Sequence, residues 1–270
     1  MQTSRIITLT TDFGSADSYV GQLKGAALAI DPDLRLVDLC HGVPPQDVRA
    51  GSYLLETGYG AFPAGTVHVV VVDPGVGTER RMLAVSAGQH FFLAPDNGLL
   101  TRVLRRERLV AAHLIQHESF LGPRRSATFA GRDVFAPAAA WICRGVDLDR
   151  LGPPATDLVE LEQGPERLEL GRAARVPVVH VDHFGNVVLD VRLETLTSVL
   201  GHAPDEKSAL RLSAEKGQVA RFRSTYARAE GAEPFFLINS AGYLEVAVRA
   251  GRADDALGLR AGMHPELRIG

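Results

Sequence analysis

Over the first half of the chain, short runs of β-branched and apolar residues alternate with stretches whose apolar positions recur every three or four residues. Arg5–Thr10, Leu34–Leu39 and Val67–Val72 show the first pattern and predict strands. After the first of these, Val20, Leu23, Ala27 and Ile30 share one helical face, with Ser15 or Ser18 as cap and Asp31-Pro32 as the stop. Asp47 predicts the cap of a second helix, Val48 to Thr57. The order β-α-β-α-β argues for a parallel sheet with right-handed crossovers and helices on its faces. Val67–Val72 does not alternate with polar residues, as a strand buried on both faces requires, and it stops abruptly at Asp73-Pro74-Gly75. A carboxylate is thereby delivered at the C-terminal end of a central strand, where open α/β sheets hold their ligands. Arg80 lies in the same loop, near enough for the chain to fold it back on Asp73.

Further along, Met82–Ala87 and His90–Leu93 predict a strand pair turned at Gly88, followed by the turn Ala94–Gly98 and a helix over Leu99–Leu104. Asp133 is expected to cap an apolar helix, Val134–Cys143, with Pro137 tolerated in its first turn. The pattern changes after Gly152-Pro153-Pro154. Short β-rich runs follow at Val176–Val181, Val187–Val191, Leu210–Ser213, Gln218–Phe222, Phe235–Ile238 and Tyr243–Val248, with Gly231, Gly242 and Gly251 as corners. The expected organisation is an α/β chain: an N-terminal, mostly parallel α/β sandwich domain over 1–160 and a smaller C-terminal antiparallel β-barrel-like domain over 170–270.

Charge adds only exclusions. With 29 Lys+Arg against 32 Asp+Glu in 270 residues, no electrostatic case exists for a nucleic acid or an anionic membrane as partner. The clusters Arg102-Arg105-Arg106-Arg108 and Arg124-Arg125 read as solvated faces. No run approaches a membrane span and no signal peptide is expected. Cys40 and Cys143, far apart and outside any metal motif, are expected to be unpaired in a cytoplasmic protein. The nine histidines show no metal-ligand spacing, and no metal is expected. His41, at a strand end, reads as a hydrogen-bonded structural residue. No dinucleotide fingerprint, P-loop, His-Glu-x-x-His or nucleophile elbow is present. Asp12, Asp73 and Asp96 each follow a strand-like run, and together they favour a polar small-molecule site.

Six stretches occur in an order that carries a resemblance: Thr10-Thr11-Asp12-Phe13-Gly14, Asp73-Pro74-Gly75-Val76-Gly77-Thr78, Ala94-Pro95-Asp96-Asn97-Gly98, Gly131-Arg132-Asp133-Val134-Phe135-Ala136-Pro137, Asp182-His183-Phe184-Gly185-Asn186 and Asn239-Ser240-Ala241-Gly242-Tyr243-Leu244-Glu245. The chain resembles the S-adenosylmethionine hydroxide adenosyltransferase family, relatives of the fluorinase and chlorinase, over almost its whole length. The resemblance implies a homotrimer that binds S-adenosylmethionine between one subunit's N-terminal domain and its neighbour's C-terminal domain. It also implies displacement at ribose C5′ by water or hydroxide, giving adenosine and L-methionine, with no cofactor beyond the substrate. Carried over by motif, Asp73 accepts the proton of the nucleophilic water, and Arg80 orients it and stabilises hydroxide-like charge. Asp12 holds the ribose hydroxyls, and Phe129 and Gly131 line the substrate site. Phe184 and Asn186 contact the adenosine portion and Asp182 lies nearer the methionine. Ser240, Tyr243 and the backbone around Ala250 belong to that same side. One departure stands out: the family's hydrolases carry a histidine directly before Gly-Arg-Asp, and here that position is Ala130. The resemblance therefore leaves open an impaired hydrolase, a chloride-using halogenase, and a non-catalytic protein that binds S-adenosylmethionine or adenosine. Retention of Asp73 and Arg80 favours the first.

Overall fold

The central run Val67–Val72 is apolar but for His68 because both of its faces are covered. In the computed structural model, which describes residues 3–123, 126–162, 164 and 167–270, Val67, Val69 and Val71 enter one core and Val70 and Val72 enter another. The basic pair Arg124-Arg125 lies outside the described residues. The chain divides into two units, Met1–Leu161 and Glu162–Gly270.

The first unit is built on β1 (Ile6–Thr11), α1 (Tyr19–Leu28), β2 (Arg35–Cys40), α2 (Val48–Gly58), β3 (Val67–Val71), β4 (Met82–Ala87), β5 (His90–Pro95), α3 (Thr101–Arg106), β6 (Leu109–Leu114) and α4 (Ala136–Cys143). Six strands form one sheet in the order β2-β1-β3-β5-β4-β6. The pairs β1–β2, β1–β3 and β3–β5 are parallel, whereas β4 runs antiparallel to both β5 and β6. One face packs on α1 and α4 through Leu23, Ala27, Ala138 and Ala139, and the other on α2 and α3 through Ala50, Leu55 and Val103. Gly51 permits the close seat of α2, since a Cβ there would stand 2.9 Å from methyls of Val72 and Leu99. Asp47 caps α2 as expected, accepting from Ala50 N at 2.9 Å.

His68 breaks the valine run, and its environment explains how. Its Nδ1 is 2.7 Å from Thr8 Oγ1 and its Nε2 is 3.2 Å from His90 Nδ1. Tyr59 stands edge-on to both rings. Burial, with a smaller contribution from His90, pushes the His68 pKa down to about 3, so the ring is held neutral.

Three departures from the sequence reading occur here. Strand β6 was not anticipated. Ser18 sits at the start of α1 without capping the backbone, and instead accepts from Gln22 Nε2 at 3.0 Å. Asp133 does not cap a helix. The chain already turns helically at Ala130, passes through a wide π-type turn over Gly131–Phe135 and only then enters α4.

The second unit comprises β7 (Ala173–Arg175), β8 (Val178–Val181), β9 (Val187–Arg192), α5 (Leu193–Leu200), β10 (Leu210–Ala214), β11 (Gly217–Val219), β12 (Phe235–Ile238), β13 (Tyr243–Ala247), α6 (Ala253–Leu257) and β14 (Glu266–Ile269). They make two four-stranded antiparallel sheets, β11-β10-β14-β7 and β12-β13-β9-β8. Val187, Leu189 and Val246 of one sheet share a core with Leu212, Leu267 and Ile269 of the other. The antiparallel character is as read from sequence. The barrel-like closure is not seen, because neither sheet closes on itself among the described residues. The run expected as strand Gln218–Phe222 ends at Val219, and Phe222 keeps one bridge, to Phe236.

Candidate active site

Two successive arginines leave the loop after β3 in different directions. Arg80 folds back over Gly75 onto Asp73, donating Nε to Oδ1 at 2.6 Å and to Oδ2 at 2.7 Å, with Nη2 also donating to Oδ2. The Asp73 side chain is 4% exposed and that of Arg80 12%, so the pair is shielded on nearly all sides. Bonds within the loop hold it tight, from Val76 N to Asp73 O at 3.1 Å and from Thr78 Oγ1 to Gly75 O at 2.7 Å. Arg81 turns away to Asp96, donating Nε to Oδ2 at 2.7 Å, and to the carbonyls of Thr156 and Asp157 at 2.8 and 2.6 Å. The other oxygen of Asp96 accepts from Val159 N at 2.9 Å. Asp96 is therefore a brace for the segment following α4, and the expected trio of site aspartates reduces to Asp12 and Asp73.

Asp12 leaves β1 beside the same crevice. Its Oδ2 accepts from Gln46 N at 2.8 Å, and Gln46 sits at φ 63°, a left-handed conformation unusual for a side-chain-bearing residue. The two loops are tied again by Gly14 N to His41 O at 2.8 Å and by His41 Nδ1 to Thr11 Oγ1 at 2.8 Å. His41 Nε2 stands 3.0 Å from Asp38, whose carboxylate also takes Lys24 Nζ at 2.7 Å. His41 thus has the structural place that its sequence context suggested.

Asp12, Asp73, Phe129, Ala130 and Gly131 all line one cavity of about 480 Å³. Arg80 meets it through Asp73. The wide turn brings Ala130 and Gly131 to the wall. Gly131 packs closely there, since a Cβ would lie 2.9 Å from a methyl of Leu23 on α1 and that side chain would have to shift. Sequence reasoning missed several walls, among them Phe13, Tyr19, Gln46 and Arg132. The rings of Phe13, Tyr19 and Phe129 meet edge to face with centroids 5.5–5.9 Å apart. Arg132 lies over Phe129 at 4.8 Å while its Nε and Nη2 hold Asp133 at 2.7 and 3.0 Å. The one available signal was position, because Tyr19 and Gln46 both sit at or just before a helix start after a strand-end loop. A mixed wall of carboxylates, aromatic faces and a guanidinium suits a polar ligand with an apolar body.

The other candidates sit in the second unit. Asp182 and Asn186 close a turn, with Asn186 N donating to Asp182 Oδ1 and Asn186 Nδ2 to Oδ2, each at 2.8 Å. Phe184 at its tip is 72% exposed. Ser240 is exposed on the loop between β12 and β13, where Asn239 Oδ1 accepts from Ala241 N and Tyr243 N at 3.0 Å. Ala250 is exposed at φ 54°. Tyr243 differs from its expected role as a ligand contact: its side chain is fully buried, with the Arg192 guanidinium 4.8 Å from the ring centre. Among the described residues no group of three or more His, Cys, Asp and Glu is placed to hold a metal ion, and no helix is long and apolar enough to cross a membrane.

Comparison with known proteins bears on both units. The family model for the SAM hydroxide adenosyltransferase N-terminal domain matches residues 7–152, and that for the C-terminal domain matches residues 176–265. A protein of Salinispora tropica named (R)-S-adenosyl-L-methionine hydrolase is 38% identical over 260 residues, covering 95% of each chain. A fluorinase of Nocardia brasiliensis is 27% identical over 98% of this chain and 97% of its own. The crystal structure of an uncharacterized conserved protein from Thermotoga maritima superposes with a TM-score of 0.88 at 30% identity, covering 97% of this chain and 99% of the other. The chain therefore belongs to the S-adenosylmethionine hydroxide adenosyltransferase family.

Proposed function

We propose that this protein hydrolyses S-adenosyl-L-methionine, in the (R) form at sulfur that its relative's name specifies, to adenosine and L-methionine. The observation that carries the reading is the shielded Asp73–Arg80 pair beside Asp12 in one cavity. Water oxygen attacks C5′ as the C5′–S bond breaks. The bonding pair goes to sulfur, which leaves as the neutral thioether of methionine and needs no proton. The water must lose one proton, so the site's task is to aim the nucleophile and accept from it. The clamp from Arg80 fixes both Asp73 oxygens, so the carboxylate is a directed acceptor, and the guanidinium charge lies where hydroxide-like charge develops. Asp12, with Oδ2 taken by Gln46 N, has Oδ1 for the ribose hydroxyls. Phe129 and Gly131 shape the wall next to Ala130.

Asp182, Phe184, Asn186, Ser240 and the backbone at Ala250 are proposed to complete the adenosyl site from a neighbouring copy in a homotrimer. The 72% exposure of Phe184 at a tightly bonded turn supports this, since a large ring held out in water favours an apolar partner. No cofactor is invoked, and the substrate is a small molecule rather than a nucleic acid or a membrane. The unpaired Cys40 and Cys143 support a cytoplasmic setting.

Product analysis with and without chloride tests the reading. Adenosine and methionine in both cases support it. Chloride-dependent 5′-chloro-5′-deoxyadenosine identifies a halogenase, and bound but unchanged substrate identifies a binding protein.

A further inference from the structure

We infer that Glu245 is a positioning residue that ties the two ligand-facing loops of the second unit into one surface; this rests on the proposed reading of that surface as part of the adenosyl site. Glu245 lies in β13, an interior strand, and is 3% exposed. Its strand neighbours Leu244 and Val246 point into the main core of the unit, so Glu245 faces the other side of the sheet. That side carries the small apolar cluster of Ala229, Phe235, Leu237 and Ala247. A carboxylate in such a place raises the question of what it holds, because an apolar residue of similar volume would serve stability as well or better.

It holds both loops. Oε1 accepts from Tyr226 OH at 2.6 Å and Oε2 accepts from Asn239 Nδ2 at 3.2 Å. Asn239 in turn fixes the backbone on either side of Gly242 through Ala241 N and Tyr243 N, which sets the Ser240 loop. On the other branch, Tyr226 OH stands 3.4 Å from Asn186 Nδ2, and Asn186 is bonded twice to Asp182 beside the projecting Phe184. One buried carboxylate therefore sets the register between two loops separated by more than fifty residues of chain. Glu245 joins the two loops through these bonds, so loss of one arm loosens one loop from the other. Burial raises the Glu245 pKa, opposed by the bonds from Tyr226 and Asn239, which is the balance expected of a carboxylate retained for its contacts.

Glu245→Gln keeps the size and the bond from Tyr226, while its amide nitrogen cannot accept from Asn239. Tyr226→Phe keeps the ring and removes the other arm. Each should weaken adenosine binding by about ten-fold, the scale of one hydrogen bond to a charged group. The loss should fall on KM for S-adenosylmethionine far more than on kcat, because neither residue is placed at the reacting bond. The double variant should lose less adenosine affinity than the product of the two single losses, as residues acting through one chain of contacts do. Calorimetric adenosine affinity and steady-state kinetics on the full chain, with thermal midpoints recorded alongside, give all of these readouts. Wild-type adenosine affinity retained by both folded variants overturns the inference alone, as do fully multiplicative losses. A wild-type chain that binds no adenosine overturns the reading of the surface and the inference with it.

Discussion

Asp73 owes its place to a valine strand that cannot continue through Pro74, and its orientation to Arg80, whose Nε and Nη2 both reach it. Replacing Asp73 with Asn preserves shape and removes the charged acceptor that the attacking water needs. Turnover should fall by about two orders of magnitude or more, within the range for loss of a general base, while adenosine affinity stays near the wild-type value. Single-turnover product formation and calorimetry on Asp73→Asn separate the two, and full turnover would remove Asp73 from the mechanism. At Ala130 the wall of the cavity carries a methyl, where the resemblance leads one to expect an imidazole. A water in that space is held less well than a side chain would be. Ala130→His should raise the turnover number by about ten-fold to a thousand-fold, or about 1.4–4 kcal/mol in the barrier, with little change in adenosine affinity. Unchanged adenosine production in that variant would show that Asp73 and Arg80 suffice.

At the scale of elements, the seat of α2 on β3 depends on Gly51. Gly51→Ala forces a methyl to within 2.9 Å of Val72 and Leu99, and urea unfolding should show a loss of about 1–3 kcal/mol, as overpacking does. The buried His68 makes a different prediction. Its folded pKa of about 3 lies below the ordinary imidazole value of 6.5, so between those values the unfolded chain binds more protons. The associated stability is present above pH 6.5 and is lost progressively as pH falls toward 3. Unfolding midpoints at pH 7 and pH 5 should therefore differ more for the wild type than for His68→Gln, and an equal difference would exclude His68 as the cause. The elements themselves were legible where local pattern and burial agree. That holds for β1 to β3, the Asp47 cap, the β4–β5 hairpin at Gly88 and the Asp73–Arg80 loop. The wide turn before α4 was not legible, because Asp133 has a capping residue's position while its carboxylate is taken by Arg132 and by Ser126 N. Nor was α5, where the strand Val187–Arg192 passes into a helix with no intervening turn residue. Asp96 looked like Asp73 in sequence; its bonds to Arg81 and to Val159 N distinguish them. Gln46 and Glu245 were invisible for a related reason, since their roles lie in contacts with residues 34 and 19 positions away.

At the scale of the whole molecule, the family assignment rests on both units, matched over 7–152 and 176–265. The proposed homotrimer places the exposed Phe184 turn of one copy against another, and sedimentation at micromolar concentration should give a mass near three chains of 29.0 kDa. A monomer that still bound S-adenosylmethionine tightly would contradict the shared site. The central claim is that water, aimed by Asp73 and Arg80, displaces methionine at C5′. Incubation of the chain with (R)-S-adenosyl-L-methionine in ¹⁸O-labelled water containing chloride, followed by mass spectrometry, tests it most directly. The account predicts adenosine carrying the label on its 5′ oxygen and unlabelled methionine; unlabelled adenosine, 5′-chloro-5′-deoxyadenosine or untouched substrate would contradict it.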